Sequence, residues 1–173
     1  MKSPPKSSEA VRQAAQVDRD GAAFFRRANL LAADPRVKFI FGRAAETFEN
    51  AAKVLEPVAK GRGKPKVPAV FPFEEYEEIE CYVCGHVARA DDLPEVCPEC
   101  GAARYAFERE VSQGGAWDLV LRTTKEAAAF ARKVATAVKD TEQKEALAKA
   151  AELRKGLLDE AKEERARMEG ATP

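Results

Sequence analysis

Cys81-Tyr82-Val83-Cys84-Gly85 and Cys97-Pro98-Glu99-Cys100-Gly101 use all four cysteines of this 173-residue chain, with twelve residues between Cys84 and Cys97. Two residues between a pair of cysteines let both sulfurs leave one tight turn on the same side. The glycine that follows permits a positive φ, which lets backbone N–H groups aim at the thiolates. Two such knuckles facing each other place four sulfurs at the corners of a tetrahedron, a donor set suited to zinc or to a single iron. Two disulfides, or four buried free thiols, are the competing readings. With no cysteine left over, the array is expected in a reducing compartment. The spacing therefore predicts one mononuclear metal held by Cys81, Cys84, Cys97 and Cys100.

Outward from this array the chain changes character. Alanine-rich, charged stretches with helical periodicity flank it on both sides. A helix is expected over 9–32, capped by Ser8-Glu9, with Ala14, Val17, Gly21, Phe24, Phe25, Ala28 and Leu31 inward. Asp34-Pro35 combines a favoured N-cap with a favoured first-turn residue and starts a second helix over 35–59. Val37, Ile40, Phe41, Ala44, Phe48, Ala51 and Leu55 face its core side. Gly61, Gly63, Pro65, Pro68 and Pro72 then form a linker. After a break at Gln113-Gly114-Gly115, a third helix is expected over 116–139 with Leu119, Val120, Ala127, Phe130, Val134 and Val138 inward. A fourth follows over 142–168 with Leu147, Ala150, Leu153, Leu157 and Leu158. The organisation reads as a disordered tail (1–8), a helical hairpin (9–60), a linker (61–73), the metal module (74–112), a second hairpin (113–169) and a short tail (170–173). Such a chain is mainly α, a four-helix bundle with a long crossover that carries a small β module of zinc-ribbon type. The two hairpins also align on each other, Gly21-Ala22-Ala23 on Glu126-Ala127-Ala128 and Ala44-Ala45-Glu46 on Ala150-Ala151-Glu152, as a duplicated hairpin would.

Twenty-nine basic and twenty-nine acidic side chains cancel, so no global field points to nucleic acid or an anionic membrane. No apolar run reaches the length of a membrane span, and the first residues lack the apolar stretch of a signal peptide. Cytoplasmic localisation is expected. The charge is nonetheless uneven. Residues 71–112 hold eleven acidic side chains against three arginines, an excess of eight negative charges that the rest of the chain must balance. An acidic module argues against a nucleic-acid zinc ribbon, where phosphate contacts want Lys and Arg. Its acidity is either a solvated face or a docking surface for a basic electron-transfer partner.

Cys81 to Phe107, with CYVCG, the short gap, CPECGA and a following Phe-Glu, resembles the small rubredoxin-like domain of rubrerythrins. Val17-Asp18-Arg19-Asp20-Gly21 with Phe24-Phe25, then Asp34-Pro35 and Glu46-Thr47-Phe48-Glu49-Asn50-Ala51, resembles the first half of a ferritin-like bundle. The module's place between the hairpins departs from the carboxyl-terminal position usual in that family. The resemblance implies a ferritin-like fold, redox chemistry at a cysteine-bound iron with zinc as the alternative, and a setting in peroxide or oxidative-stress defence.

The same family carries a di-iron centre built from one glutamate and one Glu-x-x-His pair per hairpin. Carried over by position, the first-helix glutamate falls on Asp18 and the Glu-x-x-His on Thr47 and Asn50. In the second hairpin the positions fall on Thr123, Leu153 and Gly156. This set cannot build a carboxylate–imidazole cage, so no di-iron cluster is expected and no catalytic residue is named. Glu46 and Glu49 are read as surface residues, and His86, the sole histidine, as a neighbour of the first knuckle. Tyr82, Val83, Tyr105 and Phe107 are expected to pack round the metal. The family further implies a homodimer, with each module against the partner's helices, and a redox partner protein. The alternative function is a non-enzymatic helical scaffold clipped by structural zinc.

Overall fold

The computed structural model describes residues 7–170. Four helices, α1 (Ser7–Leu31), α2 (Pro35–Leu55), α3 (Gln113–Ala135) and α4 (Thr141–Gly170), enclose the core, and between α2 and α3 lies a two-stranded antiparallel sheet, β1 (Glu78–Glu80) and β2 (Val87–Arg89). The expected amino-terminal tail lies outside the described residues except for Ser7 and Ser8, which are helical, so Ser8-Glu9 is part of the first turn rather than its cap. The carboxyl-terminal tail likewise lies outside apart from Gly170, which closes α4.

Local chemistry sets the other helix ends. Asp34 caps α2, its carboxylate accepting from the Arg36 N–H at 2.8 Å with Pro35 in the first turn. Pro57 follows the last turn of α2, where the chain tightens into a 3-10 turn (Glu56–Val58). The third helix begins three residues earlier than the glycines suggest, because the Ser112 hydroxyl accepts from the Gly115 N–H at 3.0 Å and draws both glycines into the first turn. It ends at Ala135. Asp140 then accepts from the Gln143 N–H at 2.9 Å and starts α4.

Two hydrophobic clusters fix the topology. At one end the start of α1 (Ala10, Val11, Ala14), the end of α2 and the turn after it (Leu55, Val58), the end of α3 and the connection after it (Val134, Val138) and the start of α4 (Leu147, Ala150) pack together. Thus α1 and α4 run one way and α2 and α3 the other, and the crossover must travel the length of the bundle. One long crossover between two hairpins is the connectivity of ferritin-like bundles. The crossover is strapped rather than loose. Arg12 donates to the carbonyls of Arg62 and Gly63, and Gln13 donates to that of Lys66 at 3.1 Å. Phe71 ends the strap inside the core, ring to ring with Phe24, Phe25 and Phe48 at 5.3–6.1 Å. Gly21 makes room for this: a Cβ there would lie 2.7 Å from the rings of both Phe48 and Phe71.

The expected inward faces of α1 and α2 are buried, as are Val120, Ala127, Val134, Val138, Leu147, Ala150 and Leu157. The fourth helix corrects the reading in one place. Leu153 is 37% exposed, and the buried residue on that turn is Arg154, at 2%. The apolar stripe of α4 thus runs Ala150, Arg154, Leu157, Ala161. Of the aligned hairpin positions, Ala22 and Ala127 are both buried, as are Ala44 and Ala150, whereas Gly21 is buried and Glu126 exposed. Among the described residues, no helix is long and apolar enough to cross a membrane.

Candidate metal centre

Each knuckle is a closed turn of the same pattern. Cys81 N–H donates to the His86 carbonyl (2.8 Å) and Gly85 N–H to the Cys81 carbonyl (2.8 Å). Sixteen residues on, Cys97 N–H donates to Ala102 (2.7 Å) and Gly101 N–H to Cys97 (2.9 Å). Gly85 and Gly101 have φ of 78° and 77°, and a Cβ on either would meet nothing within 4 Å. Backbone conformation, not space, requires glycine there. The first knuckle links β1 to β2, with Ile79 opposite Ala88, and a bridge between Val96 and Ala103 closes the second.

The four sulfurs lie within 4.8 Å of one another, with Cys81–Cys100 at 3.8 Å and Cys84–Cys97 at 3.6 Å. A disulfide would need about 2.05 Å. Four thiolates about 2.3 Å from a central metal have sulfur–sulfur edges of about 3.8 Å by tetrahedral geometry. The four cysteines are therefore positioned for one metal ion. Cys81 and Cys97 are buried, while Cys84 and Cys100, the second cysteine of each knuckle, reach the surface.

Backbone N–H groups compete with burial for the charge of these thiols. At Cys97 desolvation opposes ionisation, but the N–H groups of Cys100 and Glu99 and the neighbouring sulfurs outweigh it and hold the thiol at about 7. At Cys84 the His86 N–H favours the thiolate, yet desolvation and the three other sulfurs push the thiol up to about 12. A metal cation binding here must displace the proton that Cys84 holds.

The surroundings differ from expectation. Phe107 is fully buried, but Tyr82, Val83 and Tyr105 are 69%, 56% and 63% exposed. These three side chains stand exposed on the module instead of forming a packed shell. His86 contributes its backbone to the knuckle and sets its ring edge-on to Phe107, centroids 6.4 Å apart.

The module is seated on its own chain. Arg109 N–H donates to the Leu31 carbonyl at 2.6 Å and Ala33 N–H to the Arg109 carbonyl at 2.9 Å, a short parallel bridge to the end of α1. The Arg109 guanidinium lies over the Tyr76 ring at 5.0 Å, and Phe24 meets Phe73 and Tyr76 edge-on. Lys38 of α2 pairs with Glu108 at 3.0 Å. Ile79, Cys81, Cys97 and Phe107 belong to the same hydrophobic cluster as Phe24, Phe25 and Trp117.

Within the bundle the positions carried over from the di-iron pattern scatter. Asp18 and Thr123 are buried, but Thr47 is only half-buried and Asn50, Leu153 and Gly156 point outward. The buried neighbours on those turns are Phe48 and Ala51 in α2 and Arg154 and Leu157 in α4. At the centre Arg154 Nη1 donates to both carboxylate oxygens of Asp18, at 2.7 and 2.5 Å, with side chains 2% and 0% exposed. Burial raises the Asp18 carboxyl to about 6 against the pull of Arg154. Thr123 turns its hydroxyl back to the Leu119 carbonyl at 2.8 Å. Glu46 is exposed and pairs with Arg43 at 3.7 Å, and Glu49 pairs with Lys53 at 3.0 Å and with Arg26. Among the described residues, the cysteine cluster is the one group of three or more acidic, histidine or cysteine side chains placed to hold a metal.

Residues 80–108 match the model of the rubredoxin-like domain of rubrerythrin. The chain is also similar to reverse rubrerythrin-1 of Clostridium acetobutylicum, with 37% identity over 41 residues, covering 24% of this chain and 23% of that protein. The chain thus aligns with about a quarter of the curated relative that it matches. No solved structure matches. The two matches support a rubrerythrin-family relationship, with a rubredoxin-like metal-binding module inside a helical protein.

Proposed function

We propose that this protein is a one-electron carrier whose module holds a mononuclear iron on Cys81, Cys84, Cys97 and Cys100. A bound iron would supply a single-electron couple between its ferric and ferrous states with little change of shape. The observation that carries the reading is the tetrahedral edge length of the sulfur cluster inside a rubredoxin-like segment. The chain's own groups would tune and expose that centre. N–H groups of His86, Glu99, Cys100 and Ala102 donate to sulfurs and favour their charged form. Cys84 and Cys100 open the cluster to the surface beside Tyr82, Val83 and Tyr105. Exposed apolar side chains on an acidic module suit transient contact with a basic partner protein, where complementary charge speeds encounter and fixes orientation.

Within the bundle the Asp18–Arg154 pair fills the centre with a guanidinium, so a role in peroxide or oxidative-stress defence would run through a separate partner that performs the reduction. A homodimer and a cytoplasmic setting complete the proposal, the latter resting on four cysteines that form no disulfide. The second reading, a scaffold clipped by zinc, draws on the continuity of the module with the bundle core, which gives the site a structural value of its own.

Anaerobic purification of the full chain, metal analysis and a visible absorption spectrum test the choice. The expected result is one iron per chain and a red ferric tetrathiolate band that dithionite bleaches and air restores. A colourless protein with one zinc per chain overturns the electron-carrier reading and leaves the scaffold.

A further inference from the structure

Between the second half of α3 and the first half of α4 lies a groove of about 430 Å³. Ala128, Ala131 and Ala135 of α3 and Leu147, Ala151 and Leu158 of α4 form its walls. Alanines at these positions keep the two helices from filling the space between them. That volume is within the range of small-molecule sites. Three cations line the groove, Arg132, Lys144 and Lys155, against one carboxylate, Glu152. None of the three forms an ion pair among the described residues. The fourth cation of the lining is the buried Arg154. Its Nη1 is committed to Asp18, but its Nε is buried with no hydrogen-bond partner. That nitrogen is closed off from the groove, so a ligand there meets Arg154 through its charge alone.

We propose that the α3–α4 groove is a binding site for an apolar chain that ends in a carboxylate, a fatty-acid-like anion. The carboxylate lies beside Lys155, over the charge of the buried Arg154, and takes the ammonium's hydrogen bond and charge. The chain lies along Ala131, Ala135, Leu147 and Ala151 toward Lys144. Leu147 and Lys155 are eight residues apart, about 12 Å along a helix at about 1.5 Å per residue. That is close to the reach of an extended decanoate. Neutral alcohols would keep the apolar contact but lose the charge, and cationic amphiphiles would meet three unpaired cations. The proposal is independent of which metal the module holds.

Isothermal titration calorimetry of the full metal-loaded chain with decanoate, below its micelle concentration, tests it. One saturable site is expected, with decanol at least tenfold weaker and decyltrimethylammonium without binding. Lys155→Glu is exposed and leaves the core intact, and it is expected to weaken decanoate at least tenfold. Ala151→Phe fills the groove from its open side and is expected to abolish the heat. Absence of saturable decanoate binding overturns the proposal, as does equal binding of the cationic amphiphile. Unchanged affinity in both variants overturns it too. Sedimentation in parallel covers the remaining occupant: a dimer that Ala151→Phe dissociates, in a protein that takes up no decanoate, would assign the groove to a second copy of this chain instead.

Discussion

Replacing Arg154 by methionine removes the cation from the centre of the bundle and leaves its partner in place. Asp18 is fully buried and accepts two hydrogen bonds from one Arg154 nitrogen at 2.5–2.7 Å. Two unit charges about 4 Å apart, at an effective dielectric of about 20, attract by about 4 kcal/mol. Breaking one side of a buried pair costs about 3–5 kcal/mol, because the orphaned charge remains buried. The single variant is therefore expected to lose about 4 kcal/mol at pH 7.5 by urea denaturation followed by circular dichroism. The double variant Asp18→Leu with Arg154→Met removes both charges and fills the space with apolar atoms. It should return to within about 1 kcal/mol of the parent or exceed it, since hydrophobic replacement of a buried pair is often neutral or stabilising. The pH dependence supplies a second check. Burial raises Asp18 to about 6 from its ordinary 3.8, so the native state holds a proton that the unfolded chain has released. The stability contributed by that proton is fully present below pH 3.8 and is lost as pH rises through 6. Without Arg154 the carboxyl titrates higher still. The deficit of Arg154→Met should thus be largest above pH 7 and shrink toward pH 5, where Asp18 is neutral in both proteins. A loss below about 1 kcal/mol at pH 7.5, or a deficit that grows on acidification, would refute the reasoning.

Four further outcomes are expected. Cys97→Ser should abolish stoichiometric metal binding and loosen residues 78–107 to hydrogen exchange while leaving most of the helical circular dichroism, because the metal supplies folding energy to the module and the bundle has its own core; retention of one metal per chain would contradict it. Metal loading of the apo-protein at pH 7 in weak buffer should release protons, since Cys84 is held as a thiol up to about 12; a loading step with no acidification would contradict the ligand assignment. Gly21→Ala should cost about 1–3 kcal/mol by forcing Phe48 and Phe71 apart, measured by thermal melting; an unchanged midpoint would mean that the strap ending in Phe71 yields freely. Light scattering at micromolar concentration should give the mass of a dimer; the monomer mass of 18.9 kDa would end that proposal.

The inward faces of α1 and α2 were legible because fourteen positions at helical spacing are all apolar or glycine, and burial followed the period. The fourth helix was harder. Its buried stripe is sparse and passes through a charged residue, so Leu153 stood in for Arg154 one position along. A charge on an inward stripe reads as solvent-facing until a counter-charge is found, and the counter-charge here is 136 residues away. For Tyr82, Val83 and Tyr105, aromatic and branched character suggested packing, but a module this small has one side to bury, and that side faces the end of α1.

The sequence by itself determined the knuckles and the start of α2, whereas α1 begins ahead of its expected cap and α3 three residues before its expected start. Two cysteines on one turn, a glycine of positive φ, and Asp34, Ser112 and Asp140 as caps act over three or four residues, where composition and spacing are the whole of the physics. Tertiary structure decided what lies between distant segments: the guanidinium of Arg154 on Asp18, the strap of 61–71 along α1, the bridge from Arg109 to Leu31, and the groove that α3 and α4 leave open. Those features depend on the angle at which each helix faces its neighbours. A single residue turns about 100° round a helix, so a one-position uncertainty in register exchanges an exposed leucine for a buried arginine.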